Sequence, residues 1–385
     1  MPVMPGGWPL QIPVDTPAQS CAGTGMERRE IRQLQGRLIR WFTQNQRPLP
    51  WRESYLPYGI WISEIMLQQT RVDTVVPYYL RWMQRFPGVR SVARAGQDEL
   101  LKHWEGMGYY SRVLNIHRAA GILMDRHGGE LPRNYHDLLE LPGIGPYTAA
   151  AIRSLAFNLD EPLVDGNVER VFSRLFNMEA PVKSRQSQAY IRNMASDILP
   201  SGKARFFNQA LMELGATVCT PRRPGCLHCL VAPHCESLRL EIVHRRPVPG
   251  IRRKIVPVQV VVGVIEQDGK VFIQKRPSRG LMAGLWEFPG GKIENGETPE
   301  EALAREMNEE LGLRVQCVRK IASIEHNYTS FRVSLHAYAC TADPRDGAPA
   351  LRCASDARWV DPGDLDNYAF PAANRRLIDI IRKNP

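Results

Sequence analysis

Leu141-Pro142-Gly143-Ile144-Gly145 lies between runs of helical periodicity at 112–126 and 147–157. It reads as a hairpin joining two helices. Glycine at 143 and 145 permits tight backbone turns and leaves amide N–H groups free to hold a nucleic-acid phosphate. A plain helix connection would read the same way, so the weight falls on what surrounds the pentapeptide.

Outward from the hairpin the pattern stays helical. Ile31, Leu34, Leu38, Ile39 and Phe42 recur at helical spacing, as do Ile62, Ile65, Met66 and Gln69. Further helical runs cover 92–103, 168–176 and 187–199. Pro and Gly punctuate them at Phe86-Pro87-Gly88 and His127-Gly128-Gly129. Residues 27–237 are therefore expected to form an all-α domain. Residues 238–256 form a basic linker broken by Pro and Gly. Strand-like runs then follow at 258–266, 270–275 and 331–339, with helices at 299–311 and 374–382, which predicts an α+β domain over 257–385. Residues 1–26 are rich in Pro and Gly and carry no Lys or Arg. They lack the basic start of a secretory signal and read as a disordered extension, with Met26 as an alternative start.

The chain has 385 residues, enough for two or three domains, and a hydrophobic fraction of 43%. No apolar run approaches the length of a membrane span. The net charge of +10 suits a polyanionic partner such as nucleic acid, although charge alone is weak evidence.

Cys219, Cys226, Cys229 and Cys235 follow the spacing C-x6-C-x2-C-x5-C. Short loops bring these thiols together, which points to a metal or cluster site rather than disulfides. Four thiolates suit zinc and a [4Fe–4S] cluster alike. Cys21, Cys317, Cys340 and Cys353 follow no pattern. A reducing, cytoplasmic setting is expected.

Trp61-Ile62-Ser63-Glu64-Ile65-Met66-Leu67-Gln68-Gln69-Thr70, Gly106-Met107-Gly108-Tyr109-Tyr110 and Val164-Asp165-Gly166-Asn167-Val168 carry a resemblance. With the hairpin and the cysteine spacing, they resemble MutY-type adenine DNA glycosylases over about residues 30–236. The resemblance implies a [4Fe–4S] cluster on the four cysteines, and double-stranded DNA with adenine opposite 8-oxoguanine or guanine as the substrate, bound by a nucleoid-associated monomer. It further implies that Glu64 protonates the departing adenine at N7 and that Asp165 stays ionised beside an oxocarbenium-like sugar. Glu64 lies among Ile62, Ile65 and Met66, so desolvation is expected to raise its pKa. Read without the resemblance, Glu64 is a solvated helix carboxylate and Asp165 a helix N-cap. Asn167 is implied to position water or the carboxylate. Gln69 and Tyr109 are implied to wedge into the base stack once the adenine is extruded, and Gly143 and Gly145 to contact DNA. Endonuclease III-type relatives place a Schiff-base lysine where this chain has Tyr147. A phenol forms no imine, so base removal without strand cleavage is expected.

Gly291-x5-Glu297-x7-Arg305-Glu306-Met307-x-Glu309-Glu310-x-Gly312-Leu313 matches a complete Nudix signature. Glu306, Glu309 and Glu310 fall on one helix face, with Leu303, Met307 and Leu311 on the buried side. Clustered carboxylates suit Mg²⁺. MutY-type proteins commonly carry a Nudix-like domain that has lost this box. Here the intact box, with Trp286–Gly291 and Phe370-Pro371-Ala372-Ala373-Asn374, resembles MutT. That implies hydrolysis of 8-oxo-dGTP and reading of 8-oxoguanine by Asn374. Tyr328-Thr329-Ser330 stands where MutY-type domains carry Phe-Ser-His, and Cys353 falls near the place of a downstream MutT carboxylate. Three rival readings are an endonuclease III-like glycosylase/lyase for oxidised pyrimidines, a nucleotide hydrolase tethered to DNA, and a non-catalytic DNA-binding scaffold.

Overall fold

A computed structural model describes residues 26–250, 255–328 and 331–383. The chain folds as two compact units. One runs through Arg47 and resumes over Arg153–Gly250; the other joins Pro48–Ile152 to the C-terminal part from Ile251. Residues 1–25 of the predicted extension 1–26 and residues 251–254 of the predicted linker lie outside the described residues.

In the first unit, helix Arg28–Asn45 buries Ile31, Leu34, Leu38 and Phe42, the stripe that its periodicity predicts. They meet Val168 and Phe172 of helix Gly166–Leu175, Ile191 and Met194 of helix Arg185–Asp197, and Phe207 and Leu211 of helix Ala204–Thr217. Each such side chain contributes about 1.5–3 kcal/mol on burial. Arg47 closes the helix end with an ion pair to the fully buried Glu213 at 2.7 Å. The first part of the predicted linker is packed here. Arg246 donates to Asn177 Oδ1, and its own carbonyl accepts from Arg174.

The helices of the second unit include Pro57–Leu67, Val72–Arg85, Gln97–Trp104 and Ser111–Arg126. Trp61, Trp82, Phe86 and Trp104 are buried, and Trp82 meets Phe86 and Trp104 with ring centroids at 4.7 and 5.6 Å. Two expected helices differ in detail. The run 92–103 is two helices, Val89–Arg94 and Gln97–Trp104, parted at Ala95-Gly96, where the backbone becomes extended. The run holding Ile62, Ile65, Met66 and Gln69 ends at Leu67, and Gln69 lies beyond it with φ of 59°.

The C-terminal region mixes strands and helices as expected. β1 (Val256–Gln267), β2 (Lys270–Lys275), β3 (Trp286–Glu287), β4 (Gly290–Lys292), β5 (Val315–Asn327), β6 (Phe331–Ala342) and β7 (Asp356–Val360) form one sheet system ordered β3-β2-β1-β6-β5. β4 pairs with β1, and β7 with β2. β1 and β6 run parallel from Val256–Phe331 to Ile265–Cys340. Helix Pro299–Leu311 covers one face through Leu303, Met307 and Leu311. Helix Ala372–Lys383 covers the other through Leu377 and Ile378. Thr298 caps the first of these helices in a reciprocal bond with Glu301, and Gly312 ends it with φ of 67°.

Within this unit the sheet domain rests on helix Gln97–Trp104 and the loop behind it. Glu105 Oε1 accepts from the Phe370 amide and from Arg375 at 2.9 Å each. Lys102 donates to the Tyr368 carbonyl, and Lys275 pairs with Asp98 at 2.6 Å.

Candidate functional site

Glu64 lies in helix Pro57–Leu67, where every residue from Gly59 to Met66 is buried. Its exposure is 5%, so the solvated-carboxylate alternative does not describe it. The same helix carries Gln68 at its end, and Gln68 Nε2 donates to Thr148 Oγ1 at 3.2 Å. Thr148 follows Tyr147 in helix Pro146–Ala151, which opens directly after the hairpin. In the hairpin itself Ile144 donates back to the Leu141 carbonyl. Gly143 has φ of +82°, and a Cβ there would meet Asn115 at 2.8 Å. Gly145 departs from the expectation for glycine: it is extended, φ −93°, and caps the helix with open space where a Cβ would lie.

Gln69 and Tyr109 are both exposed, and both have positive φ, 59° and 49°. Residues without glycine's freedom rarely sit there unless their surroundings hold them. The guanidinium of Arg112 touches both turns, at the carbonyls of Ile65, Met66 and Gln68 and at those of Met107 and Gly108. These bonds take up the carbonyls at the end of helix Pro57–Leu67, which explains why it stops before Gln69. Arg112 went unread in the sequence. Its signal was its place on the apolar face of helix Ser111–Arg126, in line with Ile116, Ala119 and Leu123.

Asp165, in the other unit, caps helix Gly166–Leu175. Oδ1 accepts from the amides of Asn167 and Val168 at 2.9 and 2.8 Å, and Oδ2 from Asn167 Nδ2 at 2.7 Å. Burial pushes its pKa above the usual carboxylate value, opposed by these hydrogen bonds and by the Arg170 charge. The N-cap alternative is thus met by the same carboxylate, and Asn167 is brought onto it. Asn167, Arg170 and Arg174 share one helix face. Arg170 donates to Asn167 Oδ1 at 2.9 Å and to the Cys219 carbonyl at 2.7 Å. Arg174 donates to Cys219 Sγ at 3.3 Å.

The four cysteines line one cavity with Arg174, Leu175 and Val231. Burial raises the Cys229 thiol to about 11, and the charges of Cys219, Cys235 and Cys226 add to the rise. Thiols raised in this way are neutral at neutral pH and ionise only when a cation takes their proton's place. Among the described residues, no three His, Cys, Asp or Glu side chains stand close enough to hold a single metal ion.

The Nudix carboxylates, likewise, do not gather three to one point among the described residues. Glu306 packs against Gly291, where a Cβ would meet its carboxylate at 2.2 Å. Glu310 accepts from Gln274 at 2.8 Å and from the Gly290 amide at 3.2 Å, and burial raises its pKa. Glu309 points outward, its side chain 58% exposed. Arg305 stands among the acids, paired with Glu297 at 2.7 Å, Glu306 at 3.0 Å and Glu309 at 3.4 Å. Asn374 is buried, and its Oδ1 accepts from the Phe288 amide at 3.2 Å. Tyr328 stacks on Phe331 at 4.8 Å; Thr329 and Ser330 lie outside the described residues. Cys353 is exposed.

No helix among the described residues is long and apolar enough to cross a membrane. Residues 62–198 match the HhH-GPD superfamily base excision DNA repair protein family, and residues 260–379 match the NUDIX domain family. A structure of a thermostable thymine-DNA glycosylase is similar at 28% identity and TM-score 0.51, covering 55% of this chain and 98% of its own. Human adenine DNA glycosylase is 30% identical over 92% of this chain and 74% of its own length. The mouse adenine DNA glycosylase is 32% identical over 91% of this chain and 78% of its own length, so the match runs through both the helical region and the sheet domain. On that extent of similarity, this chain belongs to the adenine DNA glycosylase family and carries a Nudix domain.

Proposed function

We propose that the protein removes adenine from DNA where it faces 8-oxoguanine or guanine, leaving the strand unbroken. The observation that carries this reading is the kinship with adenine DNA glycosylases across nine-tenths of the chain. Glu64, buried in an apolar helix, protonates the departing base. Asp165, capped by two amides and Asn167, stabilises the positive charge that develops on the sugar. Gln69 and Tyr109 enter the stack vacated by the base, and Gly143 and Gly145 bring hairpin amides to a phosphate. Tyr147 offers no amine, so no Schiff base forms at that position. The working divisions are 27–237 for the glycosylase, 238–256 for the linker and 257–385 for the Nudix domain.

Cys219, Cys226, Cys229 and Cys235 hold a [4Fe–4S] cluster. The four thiols line one cavity, and the resemblance to MutY-type glycosylases favours a cluster over the zinc ion that four thiolates would also suit. Freshly purified protein is expected to be yellow-brown with about four irons per chain. Stoichiometric zinc without iron would reverse the assignment.

The Nudix domain hydrolyses 8-oxo-dGTP as a second activity. Glu306, Glu309 and Glu310 would hold Mg²⁺, which supplies phosphate binding and activation of water. Arg305 now neutralises two of them, so loading requires it to yield Glu306 and Glu309. Asn374, its oxygen fixed by Phe288, donates through its nitrogen to the oxidised base.

A second glycosylase reading, thymine release from a mismatch, draws on the likeness to the thymine-DNA glycosylase structure. That likeness reaches only 55% of the chain. The test is chromatography of free bases released from duplexes carrying A:8-oxoguanine, A:G, T:G or an oxidised pyrimidine. Adenine from the first two is expected. Release of thymine or an oxidised pyrimidine, with no adenine, would overturn the reading.

A further inference from the structure

We propose that Arg112 is a positioning residue that holds Gln69 and Tyr109 together in the backbone conformations from which they enter the duplex. The inference rests on the DNA glycosylase reading and adds a residue to it. One guanidinium joins two loops far apart in sequence. Nη1 donates to the carbonyls of Ile65, Met66 and Gln68 at 2.9, 2.9 and 2.7 Å. Nη2 donates to the carbonyls of Met107 and Gly108 at 3.2 and 3.0 Å, and to Thr70 Oγ1 at 3.4 Å. The acceptors therefore bracket Gln69 on both sides and end immediately before Tyr109.

The side chain that does this is 7% exposed, and both of its terminal nitrogens are used, while Nε is buried without a hydrogen-bond partner among the described residues. Its plane also lies against the rings of Tyr109 and Trp104, with 5.3 Å to each centroid. Trp104 in turn donates to the Gly108 carbonyl at 3.1 Å. Both left-handed residues are exposed and next to backbone that is tied down. Both side chains are thus presented from turns whose neighbouring carbonyls are tied to one guanidinium, the arrangement expected of groups that must replace a base in a stack rather than follow it. Lysine cannot reproduce the effect, because one ammonium lacks the flat, two-sided fork that reaches both loops.

The experiment measures single-turnover adenine release by wild type and Arg112→Lys from two duplexes. In one, adenine is paired with 8-oxoguanine. In the other, adenine faces an abasic site, so no pair needs opening. Fluorescence of 2-aminopurine in place of the target adenine reports extrusion. On the paired substrate Arg112→Lys is expected to lose at least ~30-fold in rate, in line with the cost of small misplacements at reacting groups. The fluorescence rise should disappear, while duplex affinity changes less than about 3-fold and the defect on unpaired adenine shrinks to about 3-fold or less. Equal losses on both duplexes would mean a general structural role and overturn the proposal, as would wild-type behaviour of the variant. If Arg112→Lys does not fold, Thr70→Val removes one acceptor beside Gln69. It should show the same substrate dependence at about 3- to 10-fold, and its absence is equally decisive. Failure of the wild type to release adenine from either duplex would instead sink the glycosylase reading beneath it.

Discussion

Asp165 and Glu306 both belong to candidate catalytic sets, yet they are held by different partners. Asp165 accepts from two backbone amides and from Asn167, donors fixed by the helix they open. Glu306 accepts from Arg305, a long cation that also engages Glu297 and Glu309. The first arrangement is preorganised: its donors cost no rearrangement when charge develops on a sugar. The second is self-neutralised, and a metal bound there would have to displace an existing ion pair. The helical carboxylate is therefore held by backbone and a neighbouring amide, the Nudix carboxylate by an ion pair.

The comparison can be broken first at its strongest point. Glu64→Gln and Asp165→Asn should each cut adenine release by more than ~1,000-fold in single-turnover assays, with duplex affinity held within a few-fold. Full activity in either variant would remove that residue from the chemistry. The next largest effect belongs to the Nudix site. Glu309→Gln should lower Mg²⁺-dependent hydrolysis of 8-oxo-dGTP by at least ~100-fold and leave adenine release within about 2-fold. Wild-type turnover no higher than this variant, across Mg²⁺ and Mn²⁺ titrations, would make the box inert.

A sharper probe is the pH profile of base release. Burial raises the Asp165 pKa and the Asn167 hydrogen bond lowers it, so deleting that bond moves the pKa further up. Asn167→Ala should lose ~10-fold at neutral pH, and its acid limb should shift to higher pH because the carboxylate is protonated earlier on acidification. An unmoved limb would separate Asp165 from the titration. The smallest effect is on stability. Burial, opposed by Arg276, raises the Glu287 pKa to about 7. A carboxyl raised in the fold favours the folded state while protonated. Stability should therefore decline from about pH 4.5 to about pH 7, as the unfolded chain ionises before the folded one. Denaturant titrations of Glu287→Gln should show that slope reduced.

Sequence patterns reached elements whose signals were local. Helix Pro299–Leu311 was legible to the residue because Thr298, Glu301 and Gly312 mark its ends and its apolar stripe is regular. The stripe of helix Arg28–Asn45 was equally clear. Gln69 was misplaced onto a helix because its spacing from Ile62 and Ile65 fits one. What ends that helix is an arginine 43 positions later, and periodicity contains nothing about so distant a partner. The two-residue strand β3 and the three-residue strand β4 escaped for a related reason: their pairing with β2 and β1 defines them, not their composition. Asp165 was read both as an N-cap and as a catalytic carboxylate; its geometry meets the first, and the second is the proposal made above. The grip of Arg305 on the Nudix acids could be suspected from its place one residue before Glu306, but its reach to Glu297 depends on the folded loop.

The most direct measurement follows one labelled duplex with adenine opposite 8-oxoguanine, divided after incubation and analysed with and without hot alkali. Adenine should appear in solution while the strand stays whole, and the strand should break only in the alkali-treated half, in proportion to the adenine released. Strand breaks without alkali at the rate of base loss, together with a borohydride-trapped covalent complex, would contradict monofunctional adenine removal by Glu64 and Asp165.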